Sequence, residues 1–184
     1  MALLLFSLPM LLIMLLLWLS QRRVFFAQQR PGLNEKPFYL LKFSTLRDAK
    51  HGEAEKDNQQ ARLTPLGRWL RRWSLDELPQ LLNVLRGNMS LVGPRPLLME
   101  YLPLYSPEAR RRHSVKPGIT GWAQVRGRNR LRFQERFALD LWYIEHRSHA
   151  LDLYILWLTL WKVIRREGIY SDDNTTSPAF DGSN

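Results

Sequence analysis

Cysteine is absent from the 184 residues. That excludes a disulfide framework and a thiol nucleophile, and it leaves a cytosolic face permitted. Several catalytic signatures are missing too. There is no G-x-x-x-x-G-K phosphate loop, no G-x-G-x-x-G and no H-E-x-x-H. No Asp-x-Asp pair of the kind used by many metal-dependent sugar transferases occurs, and His146 and His149 have no evident third partner for a metal. Internal repeats and low-complexity tracts are lacking. What is abundant is positive charge: 27 Lys and Arg against 17 Asp and Glu give a net charge of +10. Such a balance suits polyanions, whether nucleic acid, anionic lipid or a phosphorylated substrate. The seven tryptophans are many for this length, and tryptophan favours membrane–water boundaries.

One uncharged run stands out. Ala2 to Leu19 carries no charge, close to the roughly 20 apolar residues that a spanning helix needs. A signal peptide would want a cationic start and a small-residue cleavage site, and neither is present. Two readings stay open: a spanning helix, or a helix that enters one leaflet, breaks and returns. Pro9 removes a backbone donor and kinks a helix, and the Ser7 hydroxyl can satisfy a freed carbonyl. Arg22, Arg23 and Arg30 follow the segment and should stay cytoplasmic.

Beyond it, Val24 to Gln28 and Phe38 to Phe43 read as short strands joined by a turn at Arg30-Pro31-Gly32. Arg47 to Gln60 is polar and charged, which reads as a solvated loop or a frayed helix, with a mobile flap over a site as the functional alternative. Thr64-Pro65 predicts a helix start, with Leu66, Trp69, Leu70 and Trp73 on one side and Arg68, Arg71 and Arg72 between them. That helix suits a membrane surface or a core. Ser74 and Glu77 form a capping-box pattern that predicts a second helix, continued by Leu78, Leu81, Leu82 and Leu85 and ended at Gly87-Asn88. Ser90 to Val92 predicts a strand closed by Gly93-Pro94-Arg95-Pro96. Pro117-Gly118 and Gly121 predict turns, with Trp122 to Val125 extended. Phe133, Phe137 and Leu141 sit at helical spacing. Leu151 to Ile164 is almost wholly apolar and short for spanning, so it reads as interfacial or buried; Tyr154, Trp157 and Trp161 favour the interface.

The chemistry therefore rests on acids and arginines. Asp76 and Glu77 are adjacent at the expected helix start. Acids are common there for electrostatic reasons alone, and the capping box already accounts for Glu77. The functional reading is that both face one metal, while the helix end presents N–H groups to an anion and favours an ionised carboxylate. Arg71, Arg95 and Arg128 are candidate clamps for phosphate oxygens, and Lys42 is a further cation.

Longer stretches resemble a known family. Trp73-Ser74-Leu75-Asp76-Glu77-Leu78-Pro79-Gln80-Leu81, Asn83 to Ser90, and Val92-Gly93-Pro94-Arg95-Pro96 resemble the bacterial sugar transferases, the monotopic phosphoglycosyl transferases. Gln29-Arg30-Pro31-Gly32, Lys116 to Val125 and Gly127-Arg128-Asn129 match as well, so the resemblance covers nearly the whole chain. It is nearest to the small single-domain members that serve glycoconjugate biosynthesis, whether exopolysaccharide or protein glycosylation. The resemblance implies an α+β, mostly helical fold. It also implies a re-entrant membrane-anchoring helix over residues 1–21, a cytosol-facing catalytic domain over 22–184 with interfacial helices, and a small β element around the active site. It implies transfer of a sugar phosphate from a UDP-sugar to undecaprenyl phosphate at the bacterial inner membrane, with Mg²⁺ and release of UMP. In that scheme Asp76 is the nucleophile that forms a phosphosugar–aspartate, and Glu77 assists at the metal and leaving group. Asp76 and Glu77 are the metal ligands, and Lys42, Arg71, Arg95 and Arg128 contact substrate phosphates. The implied partners are the two substrates, membrane lipid and downstream glycosyltransferases, but no nucleic acid.

The chain departs from the family pattern in three places. Ser7-Leu8-Pro9 stands where Ser-Pro is usual, the basic lead-in before it is absent, and Ser44 follows Phe43 where lysine is frequent. Thr175-Thr176 with Phe180 and Gly182 resembles a family tail motif. Two other functions would use the same basic surface: a non-enzymatic membrane adaptor, and a glycosyltransferase that releases UDP.

Overall fold

The computed structural model describes residues 2–48, 59–127, 131–165 and 180–182. The fold is α+β and mostly helical. In chain order it runs α1 (Ala2–Gln21), β1 (Phe25–Pro31), β2 (Pro37–Phe43), α2 (Gln59–Arg62), α3 (Pro65–Arg72), α4 (Gln80–Leu85), β3 (Ser90–Val92), α5 (Pro107–Arg110), β4 (Gly118–Thr120), α6 (Trp122–Arg126), α7 (Phe133–His146) and α8 (His149–Arg165). Short 3₁₀ turns lie at Leu33–Glu35, Leu75–Glu77, Met99–Leu104 and Arg111–Ser114. Among the described residues β1 pairs with β2 and β3 with β4. The chain divides into two compact units, one of residues up to Ala27 with Leu41–Leu81, the other of Gln28–Leu40 with Leu82 onward.

The first unit has one core. Met10, Ile13 and Leu17 of α1 are buried with Phe43 of β2 and Leu70 of α3, and Leu66, Leu75 and Leu78 pack against them. Those α1 positions fall on one helical face. Leu8, Leu11, Leu12, Leu15, Leu16, Trp18 and Leu19 of α1 are exposed. The helix assignment runs through Pro9. Among the described residues no helix is long and apolar enough to cross a membrane. α3 starts as expected: the Thr64 hydroxyl accepts from Gly67 N–H at 2.9 Å, with Pro65 in the first turn.

The second unit is built on the parallel pair β3–β4, with Ser90 opposite Gly118 and Val92 opposite Thr120. Beyond β3, Gly93 lies against the opposing backbone so closely that a Cβ would sit 2.5 Å from the Lys116 carbonyl oxygen. Only glycine allows that approach. Phe133, Phe137, Leu97, Tyr105 and Phe180 form one core cluster, which gives the Phe180 of the expected tail motif a packing role; Thr175 and Thr176 lie outside the described residues. Val92, Trp122, Val125, Tyr143 and Ile155 form another. α8 buries Ile155 and exposes Leu153, Tyr154, Trp157, Leu160, Trp161 and Ile164, with Trp157 stacked between Tyr154 and Trp161.

Two local expectations fail. Trp122 to Val125 is not extended but belongs to α6, because Trp122, Ala123 and Val125 are all buried and a helical turn puts three apolar side chains into cores where a strand would split them between faces. The helix predicted from Ser74 is broken as well. Ser74 adopts the left-handed conformation (φ 54°, ψ 21°), its side chain makes no capping bond, and a 3₁₀ turn follows. α4 begins only at Gln80, after Pro79. Leu85, expected on the buried stripe, is exposed.

Candidate active site

The acids of the first unit sit on the turn Leu75–Glu77. Leu75 and Leu78 on either side of them are held by the α1–α3 core. In a 3₁₀ turn successive side chains diverge by about 120°, and the two carboxylates have different surroundings. Asp76 is buried, at 9% of its full exposure. Glu77 accepts a hydrogen bond from the Lys42 ammonium of β2, with Nζ to Oε1 at 2.7 Å. Local turn bonds take up the neighbouring N–H groups: Glu77 N–H donates to the Ser74 carbonyl and Leu78 N–H to that of Leu75. The α-helical start expected at Asp76 is therefore a 3₁₀ turn that uses the Glu77 and Leu78 N–H groups within itself.

Arg71 belongs to the same unit. Its Nε donates to the Thr45 hydroxyl at 3.0 Å. Thr45 is itself tied down, its carbonyl accepting from Thr64 N–H at 3.1 Å and from the Thr64 hydroxyl at 3.2 Å. Gly67 packs directly on that carbonyl, where a Cβ would come within 2.2 Å of the oxygen. Thr45 was not singled out from the sequence. Its only signal is its place right after β2, near Lys42. Ser44, the departure from the family pattern, is buried, and its carbonyl accepts from Gln21 Nε2 at 2.7 Å.

Arg95 lies in the second unit, in the segment after β3. Its main-chain carbonyl accepts from Arg112 Nη2 at 2.8 Å. Arg112 is paired with Asp140 of α7 at 2.6 Å, and their side chains are 1% and 2% exposed. Burial opposes the Arg112 charge, but the Asp140 carboxylate outweighs it and holds the guanidinium above its ordinary value. The Arg30 guanidinium is pushed down to about 10, first by burial and then by the positive charge of Arg95. Sequence reasoning missed the Arg112–Asp140 pair. The available signal was Asp140 on the apolar stripe of Phe133, Phe137 and Leu141. Arg112 itself is masked by the run Arg110-Arg111-Arg112-His113. Arg128 lies outside the described residues.

Among the described residues no group of three or more His, Cys, Asp and Glu side chains is placed to hold a metal. Mg²⁺ does not require one, since it commonly binds through one or two carboxylates plus substrate phosphates and water. Asp76 and Glu77 fit that donor set, with one Glu77 oxygen already on Lys42.

Comparison with known proteins shows the family. The sequence model of a family described as bacterial sugar transferase matches residues 1–166. An uncharacterized sugar transferase, EpsL, of Bacillus subtilis (strain 168) is 54% identical over 160 residues, covering 87% of this chain and 79% of that protein. The exopolysaccharide production protein ExoY of Rhizobium meliloti (strain 1021) is 38% identical over 187 residues, covering 92% and 83%. The UDP-glucose:undecaprenyl-phosphate glucose-1-phosphate transferase of Xanthomonas campestris pv. campestris is 43% identical over 158 residues, covering 80% of this chain but 33% of that protein. The chain thus spans about a third of that larger relative. It belongs to the bacterial sugar transferase family.

Proposed function

We propose that this sugar transferase moves a sugar phosphate from a UDP-sugar to undecaprenyl phosphate, releasing UMP and giving undecaprenyl-diphosphate-sugar as the first membrane step of glycan assembly. The observation that carries the reading is the Leu75–Glu77 turn, where buried Asp76 stands beside a Glu77 fixed by Lys42. The reaction named for the Xanthomonas relative is of this type.

In the mechanism, an Asp76 carboxylate oxygen attacks the sugar-side phosphorus. That P–O bond forms as the bond to the bridging oxygen breaks, and the bridging oxygen leaves on UMP. A phosphate oxygen of undecaprenyl phosphate then attacks the same phosphorus and frees Asp76. Dividing one displacement into two is covalent catalysis. Glu77, oriented by Lys42, helps hold the leaving-group side. Arg71, positioned by Thr45, and Arg95 and Arg128 take the phosphate oxygens, a task suited to the guanidinium fork. Mg²⁺ held at Asp76 and Glu77 would supply neutralisation of the diphosphate charge.

The setting is the inner face of the bacterial cytoplasmic membrane. α1 enters a single leaflet and returns, and the exposed apolar side chains of α1, and separately those of α8, meet lipid, since exposed apolar patches mark interaction sites. Downstream glycosyltransferases would take the product.

The test is to incubate the purified chain in nanodiscs with undecaprenyl phosphate, Mg²⁺ and UDP-glucose or UDP-galactose. UMP is the expected nucleotide product; UDP would mean direct glycosyl transfer, and no release with any UDP-sugar would favour a non-enzymatic adaptor. Asp76→Asn should abolish turnover while the chain stays folded, and a phosphosugar should be recovered on the Asp76 peptide of the wild type. Substantial turnover by Asp76→Asn would remove Asp76 as nucleophile.

A further inference from the structure

Arg112 makes more bonds than charge neutralisation requires. Its Nε and Nη2 both donate to Asp140 Oδ2, at 3.2 and 2.6 Å. Nη1 reaches the Tyr105 hydroxyl at 3.4 Å, and the guanidinium lies over Phe137, 5.3 Å from the ring centre. The remaining bond, from Nη2 to the Arg95 carbonyl at 2.8 Å, is directed at the main chain of another segment.

That segment has unusual needs. Pro94 and Pro96 flank Arg95 and carry no N–H, so the main chain there is fixed chiefly through its carbonyls. Gly118 N–H donates to the Pro94 carbonyl at 3.0 Å, and Arg112 donates to the next one along. The tether also works against a local repulsion: Arg30 and Arg136 are lowered chiefly by burial, and the Arg95 charge acts on each in the same direction. A buried ion pair is poor evidence for stability, since an apolar pair of similar volume is often as stable. A bond to the carbonyl of Arg95 has no apolar substitute.

We propose that Arg112, locked by Asp140, is a positioning residue for Arg95: it fixes the main chain of Pro94-Arg95-Pro96 so that the Arg95 guanidinium is aimed at the diphosphate of the nucleotide substrate. This rests on the reading that Arg95 contacts substrate phosphate. Asp140 then acts at one further remove, by setting the rotamer of Arg112.

UDP serves as the probe, measured by calorimetry on the full chain in nanodiscs with Mg²⁺, with uridine as the ligand that lacks phosphate. Arg112→Lys, which keeps a charge beside Asp140 but not the fork, should weaken UDP about tenfold and leave uridine unchanged. The double variant Arg112→Met with Asp140→Leu should do the same at a near wild-type melting temperature, and it carries the test where Arg112→Lys fails to fold. Arg95→Ala should weaken UDP, and adding Arg112→Lys to it should cost nothing more, as expected for residues acting through one contact. Unchanged UDP affinity in both Arg112 variants overturns the proposal, as do losses that multiply with Arg95→Ala or that extend equally to uridine. If Arg95→Ala alone leaves UDP affinity unchanged, the substrate contact at Arg95 fails first, and the positioning role falls with it.

Discussion

Replacing Lys42 by methionine keeps most of the aliphatic stem and removes only the ammonium that holds Glu77 at 2.7 Å. At that separation the bare attraction is about 6 kcal/mol for an effective dielectric of about 20. The side chains are 23% and 17% exposed, so water screens part of it. Exposed pairs contribute about 0–1 kcal/mol and breaking a fully buried one costs about 3–5; this pair lies between, and the expected loss of stability is about 2 kcal/mol. The catalytic loss should be larger than the fold requires. Without its ammonium partner the Glu77 carboxylate can swing, and misplacement by about 1 Å at a reacting centre costs on the order of 100-fold. The assay is UMP release at saturating UDP-sugar, at a temperature where urea titration shows the variant to be almost wholly folded. A 100-fold fall in kcat is expected for Lys42→Met, and Glu77→Gln added to it should cost little more. A Lys42→Met enzyme that is folded and turns over within twofold of wild type would refute the argument that the ion pair orients the catalytic turn.

Two further outcomes follow from particular contacts. His113 is 6% exposed, and burial, then Arg112 and Arg110, lower it from 6.5 to about 4. It is neutral when folded and charged when unfolded between those values, so its contribution is complete above pH 6.5 and is lost as pH falls toward 4, up to about 3 kcal/mol. Urea midpoints of wild type and His113→Asn at pH 7.5 and 4.5 should converge at the lower pH; a gap independent of pH would show that this titration does not contribute. Gly67→Ala drives a methyl group to 2.2 Å from the Thr45 carbonyl oxygen. It should cost at least about 2 kcal/mol and raise KM for the UDP-sugar through loss of the Thr45–Arg71 bond, which kinetics of a folded, low-temperature sample would show.

What was legible in the sequence was whatever depended on neighbours along the chain. The Thr64-Pro65 start of α3 and the short strand Ser90–Val92 announce themselves by turn and cap chemistry within a few residues, and so do the two strands on either side of Gly32, although β1 runs on through Arg30 and Pro31, where the turn was expected. Trp122 to Val125 did not, because four residues of mixed polarity fit either period, and only the cores around them decide for α6. Ser74 misled for a related reason. The Ser-x-x-Glu spacing is a sound cap only when the backbone before it is extended, and here α3 ends at Arg72 and leaves Ser74 left-handed. The resemblance proposed Asp76 and Glu77 as a site, but not their geometry. The Arg112–Asp140 pair was invisible because a window of arginines does not reveal which of them loses its water.

The turn that presents Asp76 and the helix proposed to meet lipid share one core. Met10, Ile13 and Leu17 of α1 pack with the same cluster that takes Leu75 and Leu78, so the residues bracketing Asp76 rest on the proposed anchor. α1 is apolar on its exposed face as well as its buried one, which in water would be a liability and at a lipid surface is a fixed depth. If α1 sets that depth, the height of Asp76 relative to the lipid phosphate is set by side-chain packing within a single unit and not by a linker. Shaving the buried face of α1, as in Leu17→Ala, should therefore impair transfer to the lipid phosphate more than formation of the Asp76 adduct. Substitutions on its exposed face should release the chain from vesicles while leaving adduct formation from soluble UDP-sugar intact. That split between the two half-reactions is what a shared core requires, and an independent tether would not produce it.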